Sequence, residues 1–364
     1  MNIIINSEEF VSHLNKVVGV VDRKQTMPIL GHILITGESG EITITGTDLE
    51  VQISSKFKAN ISDDFSITLP GRKLFDILRS LGDTDVEIST DDDVVVLKTS
   101  KSKFSLQQLP SNEFPLFDNT ESEQSFNISQ EELAVIFNKT QFAMAQQDVR
   151  FYLNGLLLEI NPSILNVVAT DGHRLAKTST PLDKKSIVDQ SFIVPRKAIQ
   201  ELVRSLTDTK ECKVSLIENQ ASFTFSNVNL TTKLIDGTFP DYNRVIPENT
   251  TTNIMLETNT IKPALQRVSI LANEKFKGVR VDIDNDKLTI SSENPEQEQA
   301  VEEIDIDATN EKISIGFNVS YLIDAVNACS GELVTLGVND ENTSALITDP
   351  SDPNTKYVVM PMRL

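Results

Sequence analysis

Short runs of residues that are β-branched or that alternate between apolar and polar dominate the chain and predict many β-strands. Alternation of this kind arises when one face of a strand is buried and the other is exposed. Turn-forming residues bound each run, which keeps the predicted strands short. The clearest predicted strands span residues 41–45, 94–97, 156–160, 222–225 and 279–283.

Other segments carry apolar residues at helical spacing, and they occur in pairs. The predicted helices span residues 7–21, 71–81, 129–144, 195–206, 258–271 and 318–329. From Leu74 to Leu81 the apolar residues form one stripe that would pack on a sheet. Ser129 followed by Glu132 is typical of a capping box, and Pro195 suits a first helical turn. We therefore expect two helices on one sheet face in each domain.

The same landmarks return about every 120 residues, which is the signature of an internal repeat. The recurring landmarks are Arg72-Lys73 with Arg196-Lys197, Thr47-Asp48 with Thr170-Asp171, and Phe114-Pro115 with Phe239-Pro240. A third copy, around Phe317, is more diverged. Polar connectors near 118–127 and 247–253 separate the copies. The sequence therefore predicts three similar domains, at 1–120, 126–248 and 253–364.

Cysteine usage and hydropathy exclude several classes of protein. Cys212 and Cys329 are far apart and follow no metal-binding spacing, so neither a disulfide framework nor a zinc site is predicted. A reducing, cytoplasmic compartment fits this composition. Glu8 and Glu9 interrupt the N-terminal segment, and no run of about 18 apolar residues occurs. Neither export nor membrane insertion is expected.

The overall charge argues against general affinity for nucleic acid, but two helices are exceptions. The 33 basic and 53 acidic residues give a net charge of −20, whereas binding to phosphates depends on Lys and Arg. The predicted helices at 71–81 and 195–206 are nevertheless basic. Their cations are Arg72, Lys73, Arg79, Arg196, Lys197 and Arg204. Either they form ordinary solvated helix faces, or they form one positive surface that contacts phosphates without reading bases.

Six segments together give the chain a specific resemblance over essentially its whole length. They span residues 44–50, 147–155, 169–176, 236–242, 273–280 and 357–364. In this order they resemble the bacterial β sliding clamps, the processivity subunits of replicative DNA polymerases. The resemblance implies an α+β DNA clamp fold with two helices packed on antiparallel sheets in each of three domains. It also implies a head-to-tail homodimer that forms a ring of six domains around duplex DNA, without catalysis, cofactor or metal.

The resemblance implies which residues contact DNA. The matching positions are Lys24, Arg72, Lys73, Gln147, Tyr152, Arg196 and Lys197. A ring that is linked to DNA needs only weak, salt-sensitive contacts, which reconciles this role with the negative net charge. Well-known relatives carry Arg at position 24, and Lys24 lacks the bidentate fork of Arg.

The resemblance also implies a pocket for short peptides of partner proteins. These partners are the replicative polymerase α subunit, the clamp loader, translesion polymerases, mismatch-repair proteins and ligase. The matching residues are Leu153, Thr170, Gly172, His173, Arg174, Leu175, Pro240, Arg244, Val245, Ser344, Val358, Val359, Met360, Pro361, Met362, Arg363 and Leu364. The apolar terminus at 358–364 would be costly to leave in water, so we expect it to dock. Methionine suits a surface that accepts varied ligands.

The third set of residues implied by the resemblance forms the dimer interface through an edge strand. The first repeat would contribute Lys101, Lys103, Phe104 and Leu106, and the partner's third repeat would contribute Ile270, Leu271, Glu298 and Glu302. Gln299 and Val301 depart from acidic residues of the family.

Two other functions remain open at this stage. An acidic three-domain scaffold that binds peptides without encircling DNA would explain the repeats and the charge, but not the basic helices. A hydrolase would need Asp171 and His173 with a serine, although no nucleophile elbow or phosphate-binding loop is present. The run from Asp282 to Asp286 with Glu293 has the spacing of a calcium loop, but Lys287 replaces the turn glycine and a hairpin turn is favoured. Asp91, Asp92 and Asp93 also predict a turn.

Overall fold

The computed structural model describes residues 2–21, 27–118, 124–182, 188–208, 210–307 and 312–364. Backbone contacts divide the chain into two compact units. Unit 1 contains Met1–Ala134 and Lys197–Leu234, and unit 2 contains Val135–Arg196 and Ile235–Leu364. Each unit holds one eight-stranded and one four-stranded antiparallel sheet.

The helices of the described residues match the six predicted segments. They are α1 (Ser7–Val17), α2 (Gly71–Leu81), α3 (Gln130–Thr140), α4 (Arg196–Ser205), α5 (Thr258–Ser269) and α6 (Val319–Ala328). Their ends differ by a few residues from the predictions. Helix α4 begins at Arg196, so Pro195 ends a strand and does not lie in the first helical turn. The hydroxyl of Ser129 accepts a hydrogen bond from the Glu132 N–H at 3.1 Å, which confirms the predicted cap.

The strands include all five segments predicted from alternation. The first twelve are β1 (Asn2–Asn6), β2 (His32–Glu38), β3 (Glu41–Thr47), β4 (Val51–Lys58), β5 (Phe65–Pro70), β6 (Asp85–Asp91), β7 (Val94–Lys98), β8 (Lys103–Gln107), β9 (Gln124–Ser129), β10 (Gly155–Ile160), β11 (Ile164–Thr170) and β12 (Arg174–Pro181). The others are β13 (Gln190–Pro195), β14 (Glu211–Ile217), β15 (Gln220–Phe225), β16 (Val228–Lys233), β17 (Thr252–Glu257), β18 (Gly278–Asp284), β19 (Lys287–Glu293), β20 (Gln299–Asp305), β21 (Lys312–Asn318), β22 (Leu333–Val338), β23 (Ala345–Asp349) and β24 (Asp352–Val359).

The strand orders repeat three times along the chain. Unit 1 has the orders β1-β6-β7-β8 and β5-β2-β3-β4-β16-β15-β14-β9, and unit 2 has β13-β10-β11-β12-β24-β23-β22-β17 and β20-β19-β18-β21. Each repeat therefore contributes two four-stranded sheets. An eight-stranded sheet arises where β4 pairs with β16, or β12 with β24, so each one joins two successive repeats. In the third repeat β20 holds the position of β4 and β12, and in the first repeat β8 holds the position of β16 and β24. Within the described residues, each of these two strands pairs on one side only.

Four of the helices pack in two pairs against the sheets, as the apolar stripes predict. In unit 1, α1 contacts α2, β3 and β4, and it buries Phe10 and Leu14 completely. Leu74 and Leu78 of α2 are buried on the facing side. In unit 2, α5 packs against α6 and against β19 and β20. Burial of these side chains contributes about 1.5–3 kcal/mol each.

The two acidic runs are hairpin turns, as expected. Asp92 has a φ of 49° between β6 and β7, and Asn285 has a φ of 53° between β18 and β19. Within the described part of the chain, no His, Cys, Asp and Glu side chains cluster as a metal site. The described helices also include none that is long and apolar enough to cross a membrane.

Candidate functional site

A cavity of about 260 Å³ lies on the eight-stranded sheet of unit 2, beside the junction of β12 with β24. Nine of the predicted pocket residues line it: Leu153, Thr170, Gly172, Arg174, Leu175, Pro240, Val245, Val358 and Met360. Its other lining residues are Arg150, Tyr152, Asp241 and Tyr242. The structure thus brings together residues from four distant segments of the sequence.

The apolar floor of the cavity follows from the pairing of its strands. Leu175 of β12 lies opposite Val358 of β24. These two side chains pack with Val168 and Tyr242 in one buried cluster. Beyond the end of β24, the N–H of Met360 donates to the carbonyl of His173 at 2.9 Å. This bond extends the strand pairing and holds Met360 beside the cavity.

A tight turn between β11 and β12 forms one wall. The Asp171 carboxylate accepts hydrogen bonds from the N–H groups of His173 (2.9 Å) and Arg174 (3.0 Å). Gly172 has a φ of +88°, which disfavours any residue with a Cβ. The Asp171 oxygens are engaged by this turn and by the Arg174 side chain, an arrangement that differs from a hydrolytic pair with His173.

Each nitrogen of the Arg174 guanidinium has a partner, and the side chain forms a wall of the cavity. Its Nε donates to Asp171 at 3.0 Å, and its Nη2 donates to the Phe142 carbonyl at 2.7 Å. Its Nη1 is paired with Asp324, and the Tyr321 ring centroid lies 4.5 Å from the guanidinium carbon. With its donors engaged, Arg174 fixes the shape of the site.

Of the four other lining residues, Tyr152 was predicted only as a DNA contact, and Arg150, Asp241 and Tyr242 were not predicted as site residues. Arg150 binds the Asp148 carboxylate through Nε (3.0 Å) and Nη2 (2.8 Å), and these bonds lower the pKa of Asp148 to about 2. The hydroxyl of Tyr242 donates to Glu159 at 2.5 Å. Burial, together with the Glu159 carboxylate, raises the pKa of Tyr242. Both residues lie in segments that carried the resemblance, but a single sequence does not show that they face the cavity.

Eight predicted pocket residues are absent from the lining of this cavity. His173 and Arg244 are exposed, Val359 is buried in the sheet, and Ser344 and Pro361 are half-buried. Met362, Arg363 and Leu364 instead line a groove of about 800 Å³ on the four-stranded sheet of unit 2. The N–H of Met362 donates to the Gly316 carbonyl at 2.8 Å. A Cβ on Gly316 would overlap the Met362 carbonyl, so the glycine permits this close docking. The last three residues of the terminus therefore lie apart from this cavity.

In unit 1, the predicted DNA contacts on α2 and α4 differ in their partners. Arg72 Nε donates to the Val21 carbonyl at 3.1 Å, and Lys73 is exposed. Lys197 is paired with Asp48. Further along α4, Arg204 is paired with Glu201, the acidic residue of this helix.

The other predicted DNA contacts that the structure describes lie in unit 2. In unit 2, Arg196 Nη1 donates to the Met144 carbonyl at 2.9 Å. Gln147 is exposed with a φ of 56°, and Tyr152 lines the cavity. Lys24 lies outside the described residues.

The predicted interface residues lie on or beside the two edge strands. Lys103, Phe104 and Leu106 belong to β8, and Lys101 lies in the turn before it. At the end of α5, Ile270 is 75% exposed and Leu271 is half-buried. Glu302 on β20 accepts hydrogen bonds from Arg267 at 2.6 and 2.8 Å. Glu298 precedes β20 and accepts from the Asn294 side chain at 2.6 Å.

Comparisons with known proteins agree along the whole chain. Family models of the DNA polymerase III beta subunit match residues 1–118 (N-terminal domain), 127–241 (central domain) and 243–363 (C-terminal domain). The beta sliding clamp of Pseudomonas aeruginosa is 40% identical and that of Escherichia coli K12 is 38% identical, each with both chains fully covered.

Solved structures give the same answer. The P. aeruginosa DNA polymerase III subunit beta has a TM-score of 0.96 at 40% identity, with both chains fully covered. A Caulobacter crescentus beta sliding clamp has a TM-score of 0.95 at 33% identity, with 100% of this chain and 99% of that chain covered. The chain therefore belongs to the DNA polymerase III beta subunit family, and it is a sliding clamp, a non-catalytic subunit that makes DNA polymerase processive.

Proposed function

We propose that two copies of this chain close head to tail into a ring through β8 of one copy and β20 of the other. The single observation that carries the proposal is the threefold repetition of strand order. Twice within the chain, the last strand of one four-stranded sheet pairs with the last strand of a sheet of the next repeat. Strands β20 and β8 occupy the same two positions in the third and first repeats. A head-to-tail contact between them would repeat the internal junction and close a dimer of six domains.

The internal junctions also predict the register of this contact. Ile53 lies opposite Leu230 in the first junction, and Ala176 lies opposite the fully buried Tyr357 in the second. Aligning the flanking hairpins by their backbone hydrogen bonds places Ala300 where Ala176 stands and Phe104 where Tyr357 stands. The proposed interface would thus repeat a small residue opposite a large aromatic one. In this register Lys103 faces Val301.

Ile270 and Leu271 give a direct test of the interface. Replacing both with alanine is expected to produce monomers in sedimentation velocity, because an exposed apolar residue at an interface gains most from burial. The matched control is Met255→Ala, which removes an exposed apolar side chain from β17. A double variant that stays dimeric would contradict the interface.

Within such a ring, we propose that α2 and α4 face duplex DNA through Arg72, Lys73, Arg196 and Lys197, with Lys24, Gln147 and Tyr152 as further contacts. The basic residues recur at equivalent places in a chain of net charge −20, which supports a local role. Contacts to phosphates without base readout leave the ring free to slide. The clamp would act in the cytoplasm, at replication forks on the nucleoid.

Topological linkage is tested by loading the protein onto nicked circular DNA with a clamp loader and ATP, and then cutting the circle. We expect retention on circles and loss from linear molecules, because a ring slides off free ends. Equal retention on both would contradict encirclement and favour ordinary binding.

We further propose that the cavity of unit 2 takes apolar side chains from short peptides of the polymerase α subunit, the clamp loader, translesion polymerases, mismatch-repair proteins and ligase. Its apolar floor, its partly polar rim and the adaptable side chain of Met360 support this use. Removing residues 360–364 is expected to abolish binding of a labelled polymerase peptide and to leave the dimer intact. Met360→Ala should cause much of this loss, and removing residues 362–364 should cause little. Unchanged peptide affinity without residues 360–364 would contradict the assignment.

A further inference from the structure

We propose that Asp48 and Glu201 limit how strongly the clamp holds DNA, because they keep Lys197 and Arg204 in ion pairs. This inference rests on the proposed contact of α2 and α4 with duplex DNA. Both acidic residues and both cations lie in unit 1. Asp48 and Glu201 would thus weaken the hold on DNA that the basic residues around them provide.

The exposures of the four side chains show which groups face solvent. Asp48 is 9% exposed and its partner Lys197 is 36% exposed. Glu201 is 13% exposed and its partner Arg204 is 46% exposed. Each carboxylate therefore lies beneath the cation that it binds. A phosphate that approaches from solvent would meet a cation whose charge is already offset.

Both carboxylates are fixed by the local fold. Asp48 also accepts hydrogen bonds from the N–H groups of Glu50 (2.9 Å) and Val51 (2.7 Å). The Arg204–Glu201 pair packs directly against Gly19, where a Cβ would overlap both side chains. Burial raises the pKa of Glu201, and the cations Arg204, Lys197 and Arg72 oppose this shift. Backbone hydrogen bonds therefore fix Asp48, and packing against Gly19 fixes the pair of Glu201 with Arg204.

The other two cations of the same surface are held differently. Arg72 donates to the neutral Val21 carbonyl and not to a carboxylate. Lys73 is exposed. The surface thus combines cations that are exposed or bonded to a neutral carbonyl with cations that are paired with a carboxylate. A ring that is already linked to DNA would gain mobility from such a mixture, since each added phosphate contact slows sliding.

The size of the effect follows from counterion release. Each additional neutralised phosphate steepens the dependence of log affinity on log salt by about 0.9, and near 0.1 M salt it raises the affinity about fivefold. Asp48→Asn would free Lys197 for such a contact. The amide oxygen of the new side chain could still accept the backbone hydrogen bonds of the turn. Glu201→Gln would free Arg204 in the same way.

The test measures binding of the full-length dimer to a short, fluorescently labelled linear duplex by anisotropy over a series of salt concentrations. Asp48→Asn and Glu201→Gln are each expected to bind about fivefold more tightly at 0.1 M salt, with a steeper salt dependence. Asp284→Asn is the matched control: it removes one negative charge from the 3.0 Å pair with Lys312 on a sheet, and it should change neither quantity.

A double-mutant cycle assigns the effect to the ion pair. The gain from Asp48→Asn should vanish in the Lys197→Ala background. If Lys197→Ala weakens binding but Asp48→Asn does not strengthen it, the inference is wrong while the DNA contact stands. If Lys197→Ala and Arg72→Ala both leave the affinity unchanged, the proposed DNA contact itself fails, and the inference falls with it. Thermal melts verify that each variant is folded.

Discussion

The guanidinium of Arg174 is paired with the carboxylate of Asp324, and this contact joins β12 of the second repeat to α6 of the third. The same guanidinium binds Asp171 and the Phe142 carbonyl, and it lies 4.5 Å from the centroid of the Tyr321 ring. One side chain therefore connects the turn, the helix and the wall of the cavity.

Arg174→Ala is expected to lower the free energy of unfolding by about 2–3 kcal/mol, because it leaves a carbonyl and a partly buried carboxylate without their donor. The loss is read from urea denaturation of the purified protein. Arg244→Ala is the control, since the pair that Arg244 forms with Asp241 is exposed. Equal stability of the Arg174→Ala variant and the unchanged protein would show that these contacts of Arg174 do not stabilise the fold.

Local patterns predicted the elements of the fold well, because each is determined by neighbouring residues. The predicted helix at 71–81 has the same bounds as α2, and the alternation at 279–283 predicted the core of β18. Element ends were less predictable, because capping and tertiary contacts decide them. Pro195 illustrates this, since it ends β13 through pairing with Gly155 and does not begin α4.

The cavity was predictable only through the resemblance, and only in part. Leu175 and Val358 lie far apart in the sequence, so their contact depends on the pairing of β12 with β24. Met362 and Leu364 are as apolar as their neighbours Val359 and Met360, and nothing local separates them from Met360. Their separate position depends on Gly316, which lies on another strand and accepts the Met362 N–H.

Tyr242 should be important for peptide binding through its ring more than through its hydroxyl. Tyr242→Ala removes a buried ring from the cavity floor, and it should weaken peptide binding at least tenfold and cost about 3 kcal/mol of stability. Tyr242→Phe keeps the ring and loses only the bond to Glu159, which should cost about 1 kcal/mol. Fluorescence titration with a labelled polymerase peptide compares the two variants. Equal peptide affinities for both variants would contradict the packing role.

Asp352 should make stability depend on pH in acid. Burial pushes its pKa up, but hydrogen bonds from Lys139 (2.6 Å) and Thr355 (2.5 Å) outweigh burial and leave the pKa below its usual value. A lowered pKa in the folded state stabilises the protein above the unfolded value, about 3.9, and this contribution is lost as the pH falls through the folded value.

Asp352→Asn removes this contribution and is the variant to compare. The stability difference between the two proteins should be constant from about pH 5 to 7 and should shrink below about pH 4. Urea denaturation at each pH measures it. A difference that grows in acid would show that Asp352 is not the group responsible.

Gly316→Ala should release the C-terminal tail from its sheet. The new Cβ would overlap the Met362 carbonyl, and such overpacking costs about 1–3 kcal/mol. Because the tail can move away, we expect faster removal of residues 362–364 by carboxypeptidase, with little change in the unfolding of the sheet. Gly31→Ala is the control, because an added Cβ at Gly31 would meet no atom within 4 Å. Equal digestion rates for all three proteins would contradict the docking of the tail.

Cysteine cross-linking tests the proposed register between β8 and β20. Lys103 and Val301 are exposed, Val301 by 59%, and the alignment with the internal junctions places them opposite each other across the interface. Directly opposed residues of antiparallel strands have Cβ atoms about 4.5–5.5 Å apart, close to the separation that a disulfide needs. The protein's own Cys212 and Cys329 are buried and should not interfere.

The variant with Lys103→Cys and Val301→Cys should therefore form a covalent dimer under mild oxidation, visible on a non-reducing gel. Lys103→Cys with Glu303→Cys places the second thiol on the same face but two residues further along β20, where the separation is too large for rapid bonding. Preferred cross-linking of the Glu303 pair would mean that the strands meet in a shifted register. Failure of both pairs in a protein that sediments as a dimer would mean that the interface uses other strands.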